Sequence, residues 1–232
     1  MGGGIMVTAS HNPSDYNGLK FVRSDAVPIS GDSGLRDIEE MVGAGDLESA
    51  PQRGSSSTED MREAYIGCVM DFVDPDELEP LHFVVNAGNG CAGPYLDMIE
   101  ERVPLRLTSI DHDPDGTFPQ GVPNPLEPQN RQRTADAVLE AGASVGVAWD
   151  GDFDRCFFFD EEADFIEGYY LVGLLAKRML ADAPGGKVIH DPRLIWNTIE
   201  VVEANGGTPV QSKTGHAFIK ERMRAEDAVY GG

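Results

Sequence analysis

No run of apolar residues in this chain approaches the roughly 20 that a membrane-spanning helix needs, which argues against a helical membrane protein. The opening "MGGGIMV" lacks both the basic start and the apolar length of a secretory signal, and Met6 stands where a myristoylation signal wants Ser or Thr. Cysteine is scarce: Cys68, Cys91 and Cys156 are far apart and odd in number, which fits a reducing compartment with no disulfide framework. The expected location is the cytoplasm. Basic residues are also few, with 18 Lys and Arg against 40 Asp and Glu and a formal net charge of -22. Such a surface repels nucleic acid and anionic membranes, so neither is an expected partner. An anionic substrate would have to be met by a few basic groups placed locally. The acidity itself reads as a solvated surface that keeps the protein soluble.

What is present is ample for a folded core: 232 residues, 41% of them hydrophobic. Strand-like and helix-like segments alternate, which predicts an α/β architecture with largely parallel strands. "LHFVVNAG" (81–88), "LRLTSID" (105–111), "ASVGVAWD" (143–150), "RCFFFDE" (155–161), "GKVIHD" and "TPVQSK" read as strands. "GPYLDMIEER", "NRQRTADAVLEAGA", "YYLVGLLAKRMLAD", "LIWNTIEVVEANGG" and "HAFIKERMRAED" read as helices. The polar stretch 43–60, rich in Gly, Ser and charge without apolar period, is the expected linker, and a second boundary is expected near 160–164. The pieces would then be 1–60, 61–164 and 165–232, with both ends of the chain reading as cut.

The sharpest motif is "AWDGDFDRC". Asp150, Asp152 and Asp154 alternate between two apolar segments, and Gly151 lets the backbone curl so that the three carboxylates converge. That convergence is costly without a hard cation, and an all-oxygen set suits Mg²⁺ or Ca²⁺ better than zinc. An EF-hand is excluded: Glu161 falls at the twelfth place, but Arg155 stands where the sixth must be glycine, and the flanks are strands. Arg155 is suited to bring a guanidinium to a phosphoryl oxygen, and an ion pair with Asp152 or Asp154 is compatible with that role.

Near the start, "GIMVTASHNPSDYNGLKF" delivers Thr8, Ser10, His11 and Asn12 into one proline-containing turn. Taken alone, Ser10 is a turn serine of the common kind. As a nucleophile it would need help, and His11 and Lys20 are the nearby candidates. Together with an aspartate-held metal the serine has what phosphoryl transfer through a covalent phosphoserine requires.

These two motifs resemble the active-serine loop and the metal loop of the α-D-phosphohexomutases. The likeness continues through "EGYYLVGLLA", "HDPRLIWNT" and "SKTGHAFIKERM", and its details are most similar to the bacterial phosphomannomutase branch. The resemblance implies repeated mixed-sheet α/β domains: the end of domain 1, domain 2, and most of domain 3. It implies that Ser10 carries a phosphoryl group, gives it to a hexose monophosphate and recovers the other phosphoryl group from a hexose 1,6-bisphosphate. It implies Mg²⁺ held by Asp150, Asp152, Asp154 and an oxygen of Ser10, with Lys20 beside the reacting hydroxyl and His11 on phosphate or hydroxyl. Arg193 in "DPRLIWN" and His216 in "KTGH" match sugar-phosphate contacts, with Lys213 placed to assist and Arg155 serving the phosphoryl group. The expected activity interconverts mannose 6-phosphate and mannose 1-phosphate, feeding GDP-mannose and surface polysaccharide synthesis, with a glucose-using or dual-specificity mutase as the alternative.

Two readings of other classes compete. "NAGNGCAG" places Gly88, Gly90 and Gly93 as G-x-G-x-x-G between a strand and a helix, with Asp111 or Asp113 about 20 residues on, as in a dinucleotide-binding oxidoreductase. A non-catalytic remnant or binding module is the other. The family's sugar-recognition loop and its phosphate-clamping fourth domain have no counterpart here, and catalysis needs both ends of the substrate held. The purified 232-residue chain is therefore expected to be nearly inactive on hexose phosphates; turnover at rates ordinary for enzymes would overturn that expectation.

Overall fold

A computed structural model describes residues 2–45, 47, 49–193 and 195–232. Asp46 and Glu48 of the expected linker, and Leu194 of the helix expected from 194, lie outside the described residues. The chain divides into two compact units, Met1–Phe165 and Ile166–Gly232.

The first unit opens with a hairpin. Strand β1 (Gly3–Val7) pairs antiparallel with β2 (Leu19–Arg23), in register from Gly3 opposite Arg23 to Val7 opposite Leu19. The loop between them is the serine loop, closed at its base by the Thr8 N–H donating to the Gly18 carbonyl at 3.0 Å. Helix α1 (Arg36–Ala44) follows, with Asp37 and Glu39 in its first turn, where carboxylates complement the helix dipole, and Gly45 in the left-handed conformation at its end. It takes in Gly43 and Ala44, which the sequence assigns to the linker, because the helix stops only where Gly45 caps it. Helix α2 (Arg62–Met70) was likewise not expected.

Strands β3 (His82–Asn86), β4 (Arg106–Ile110), β5 (Val145–Trp149), β6 (Cys156–Phe159) and the two-residue β7 (Phe165–Ile166) form one sheet in the order β4-β3-β5-β6-β7. β3 runs parallel to β4 and β5, whereas β6 runs antiparallel to β5. The sheet is mixed, as the family resemblance implies, although the alternation of segments by itself predicts largely parallel strands. The reason is length: residues 150–155 are far too few for a crossover to a parallel strand, so this segment has to be a hairpin turn.

Adjacent residues of a strand face opposite sides of its sheet, and Val84 and Val85 of β3 divide the core accordingly. Val84 packs with Val138, Ala143, Ala148 and Phe159 beneath helix α4 (Gln132–Ala141). Val85 packs with Ala87, Ala92 and Leu96 beneath helix α3 (Gly93–Glu100). Gly146, in the centre of β5, is the point of closest approach: a Cβ there would stand 2.6 Å from Val138 Cγ2 and 3.1 Å from Phe159 Cβ.

The second unit stacks helices α5 (Gly168–Asp182), α6 (Trp196–Ala204) and α7 (His216–Glu226) with strands β8 (Lys187–His190), β9 (Thr208–Gln211) and β10 (Tyr230–Gly231). The strands are all parallel in the order β10-β8-β9, as alternating strand and helix segments predict, around a core of Ala176, Leu180, Val188 and Val202.

Gly146→Ala is expected to cost about 1–3 kcal/mol through overpacking. The double variant Gly146→Ala/Val138→Ala should lose less than the sum of the two single losses in urea denaturation, since each change relieves the other's misfit.

Candidate active site

The two loops singled out in the sequence meet. Ser10 leaves the β1–β2 hairpin and the acidic loop is the β5–β6 turn, 140 residues on, yet the Ser10 hydroxyl lies 2.7 Å from Asp150 Oδ2. Asp150 is fully buried. Its second oxygen accepts the backbone N–H of Arg155 at 3.1 Å, and the Arg155 guanidinium donates to Oδ2 from Nε at 3.1 Å and Nη2 at 2.6 Å. Nη2 also donates to the Ser10 oxygen at 2.8 Å. One arginine therefore holds the buried carboxylate and the serine together. His11 lies with its Nδ1 3.1 Å from Ser10 Oγ and also contacts Arg155 Nη2.

Lys20, at the start of β2, donates from Nζ to Asp152 at 3.2 Å and Asp154 at 3.0 Å. Desolvation pulls its pKa down, but the hydrogen bonds and charges of Asp154 and Asp152 outweigh this and hold it above the ordinary lysine value. An ammonium so held is a charge partner of the acids and a poor base. For Asp152, burial pushes the pKa up, while the hydrogen bonds from Thr8 and Lys20 and the lysine's charge prevail and hold it below the usual carboxylate range.

Asp150, Asp152 and Asp154 each offer an oxygen within 4.8 Å of the others, a group that could hold a metal ion. Asp152 Oδ1 is buried and has no hydrogen-bond partner. An unpartnered carboxylate oxygen among two other carboxylates fits a hard cation, and the two facing basic side chains neutralise only part of the three negative charges. The thiols of Cys91 and Cys156 are exposed; partial desolvation first, then the charge of Asp152 for Cys91 and of Asp150 for Cys156, pushes both above the ordinary thiol value.

The shape of the acidic turn comes from residues to which the sequence assigns no role. Phe153 takes a left-handed backbone, with φ of 47°, and packs against the cluster of Val85, Ala87, Ala92 and Leu96, its ring centre 5.0 Å from that of Tyr95 of α3 and 6.0 Å from that of Tyr65 of α2. An aromatic anchor between Asp152 and Asp154 turns both carboxylates the other way; the one apolar residue among the acids is the sequence mark of it. Thr8 is the other such residue, its hydroxyl 2.7 Å from Asp152 Oδ2.

The glycine loop is part of this scaffold and not a nucleotide cradle. Its amides are used internally: Gly88 donates to Asn86 Oδ1, Asn89 to the Asp111 carbonyl, Gly90 to that of Ala87, and Cys91 to that of Gly151. Asp111 is paired with Arg133 at 2.6 Å. A Cβ on Gly90 would stand 2.6 Å from the Gly151 carbonyl oxygen, and one on Gly151 would stand 2.4 Å from that of Ser10. The three backbones are stacked glycine on glycine on serine, so these glycines serve close packing and the amides named above are already spent, which speaks against the oxidoreductase reading.

In the second unit, Arg193 follows β8 and is gripped by Asp191, which accepts from its backbone N–H at 2.9 Å, its Nε at 2.8 Å and its Nη2 at 3.0 Å. The Arg193 hydrogen bonds, ahead of the others, hold the Asp191 carboxyl below its usual range. Lys213 follows the neighbouring β9, with Nζ 5.2 Å from the Phe218 ring centre, and His216 opens α7. Arg193 and Lys213 thus emerge at the C-terminal ends of adjacent parallel strands, the edge where open α/β sheets bind ligands.

Gly90→Ala is expected to push the acidic turn out of place. The purified variant should bind Mn²⁺ at least about tenfold more weakly than the unaltered chain, and the Cys91 amide should lose its protection from hydrogen exchange; unchanged values for both would show that the loops are not coupled there.

Models of the phosphoglucomutase/phosphomannomutase family match the chain three times: alpha/beta/alpha domain I over residues 1–48, domain II over 63–164 and domain III over 167–232. A phosphomannomutase of Salmonella typhimurium is 58% identical over 237 aligned residues, which cover 99% of this chain and 52% of that protein. A Xanthomonas campestris protein described as a phosphohexose mutase is 56% identical over 230 residues, covering 99% of this chain and 51% of its own. The crystal structure of a phosphoglucomutase/phosphomannomutase family protein from Burkholderia thailandensis superposes with a TM-score of 0.91 at 31% identity, over 98% of this chain and 48% of that one. The chain spans about half the length of the curated relatives it matches. With the serine loop and acidic turn joined in one site and all three domain models in order along the sequence, the chain belongs to the phosphoglucomutase/phosphomannomutase family.

Proposed function

We propose that this chain carries the phosphoserine and metal loops of a phosphomannomutase, which interconverts mannose 6-phosphate and mannose 1-phosphate through phosphorylated Ser10 and a hexose 1,6-bisphosphate. The observation that carries the reading is the Ser10 hydroxyl at 2.7 Å from the buried Asp150, with Arg155 Nη2 on the same oxygen at 2.8 Å. Mannose is favoured over glucose by the phosphomannomutase names of similar proteins. On this reading the protein works in the cytoplasm.

The phosphoryl group on Ser10 passes to a free hydroxyl of the sugar phosphate: the Oγ–P bond breaks, the sugar O–P bond forms, the sugar hydroxyl gives up its proton to a base and Ser10 Oγ takes one up as it leaves. The bisphosphate then turns over, and Ser10 Oγ attacks its other phosphorus: the Oγ–P bond forms, the second sugar O–P bond breaks, and the departing sugar oxygen takes up a proton. The serine proton passes to its hydrogen-bonded neighbour His11, whose Nδ1 lies 3.1 Å from Ser10 Oγ. Mg²⁺ held by Asp150, Asp152, Asp154 and an oxygen on Ser10 would polarise the phosphoryl group and offset its charge. A phosphoserine brings about -1.5 to -2 charges beside the three carboxylates. Arg155, already on Ser10 Oγ, supplies donors to the phosphoryl oxygens, and Lys20 keeps Asp152 and Asp154 in place as their counter-charge. Within the second unit, Arg193, Lys213 and His216 are the candidates for binding a sugar phosphate, with Asp191 fixing the direction of the Arg193 fork.

The test is phosphopeptide mapping of the native protein from its source cells, beside a Ser10→Ala version, with mannose 1-phosphate turnover measured on both. Phosphate on Ser10, and a loss of turnover of more than about 10³-fold in the variant, are the expected results. A bare Ser10 in an active protein would sink the phosphoserine mechanism.

A further inference from the structure

Thr8 lies just past the end of β1, and its hydroxyl is used twice. It accepts the Ser10 backbone N–H at 2.9 Å and donates to Asp152 Oδ2 at 2.7 Å. Both directions are forced, since an amide N–H only donates and an ionised carboxylate only accepts. The first bond alone is an ordinary threonine turn. The second is not explained by that turn, because its partner stands 144 residues along the chain.

Each bond controls something at the site. Ser10 adopts a left-handed backbone, with φ of 54°, a region that residues other than glycine, asparagine and aspartate seldom enter. Its amide is fixed there by Thr8, while its carbonyl is pressed against Gly151. Asp152 has one oxygen occupied, Oδ2, by Thr8 and by Lys20 at 3.2 Å. Its other oxygen, Oδ1, is buried and without a partner. A carboxylate anchored through one oxygen can present only the other to an ion.

We propose that Thr8 is a positioning residue that couples the serine loop to the metal loop: one hydroxyl sets the backbone of Ser10 and selects which oxygen of Asp152 faces the cation. The inference rests on the reading of Asp150, Asp152 and Asp154 as metal ligands. A methyl in place of the hydroxyl would free Asp152 Oδ2 to rotate and leave the Ser10 amide without its acceptor, whereas serine keeps both bonds.

The experiment compares the purified chain with Thr8→Val, Thr8→Ser and Asp152→Asn, measuring Mg²⁺ affinity by calorimetry and, in the metal-free state, hydrogen exchange at the Ser10 amide. Thr8→Val should bind Mg²⁺ about 10–100-fold more weakly, the range seen when partners that orient metal ligands are removed. Its Ser10 amide should exchange faster without metal, while Thr8→Ser should match the unaltered chain in both readouts. If Thr8→Val loses its native circular dichroism, Thr8→Ala, which removes the hydroxyl without adding bulk, carries the same expectation. Unaltered Mg²⁺ binding and unaltered Ser10 exchange in a folded hydroxyl-free variant would overturn the role of Thr8 and leave the metal site standing. No difference in Mg²⁺ binding between the unaltered chain and Asp152→Asn would overturn the metal reading and the proposal with it.

Discussion

Three carboxylates drawn to within 4.8 Å of one another repel, and the first unit is arranged around containing that repulsion. Asp150 is buried, where water cannot screen it, and a backbone N–H and a guanidinium both donate to its oxygens. Asp152 and Asp154 share the Lys20 ammonium. The two cations come from opposite ends of the unit, Lys20 from the opening hairpin and Arg155 from the acidic turn itself. Remove either and the convergence of charge loses a counterweight that no other described residue is shown to supply.

Holding the charges is one problem; bringing backbones close enough to hold them is another. The contact between hairpin and turn is made by main chain on main chain, with Gly90 beneath Gly151 and Gly151 beneath the Ser10 carbonyl. A side chain at either glycine would separate the layers by more than the length of a hydrogen bond tolerates. Phe153 supplies the opposite pull, burying its ring against α3 so that the acids on either side of it project away from the core. The same glycines that mimic a dinucleotide fingerprint in one dimension are, in three, the spacing elements of the acidic turn. A glycine pattern marks only that backbones approach; it does not say what approaches.

Much of the architecture was legible because it depends on local pattern. The apolar runs at 82–86, 145–149 and 156–159 are strands because each is short, rich in branched or aromatic residues and bounded by turn residues. The helices in the second unit carry their apolar spacing in the open. The direction of β6 was less legible, since it depends on counting the residues between strands and not on the strands themselves. α1 and α2 escaped notice because their apolar faces are short and their surroundings are polar, so that Gly45 as a cap was the one strong local mark.

The candidate residues divide along the same line. Chemistry that resides in residue type and close spacing can be read from one dimension: three aspartates in five residues, a serine and a histidine in a proline turn, an arginine directly after the acids. Sequence alone therefore determined which polar and charged groups stand close together along the chain and which elements carry them. Tertiary structure alone decided that Ser10 meets Asp150 across 140 residues, that Lys20 donates to Asp152 and Asp154, that Thr8 ties the two loops together, and that the glycine loop packs against the acidic turn. The reason is physical: hydrogen bonds and ion pairs act over about 3 Å, and which distant residues come within that range is set by how strands stack in the sheet and how closely their loops can approach, neither of which is a property of any local stretch of chain.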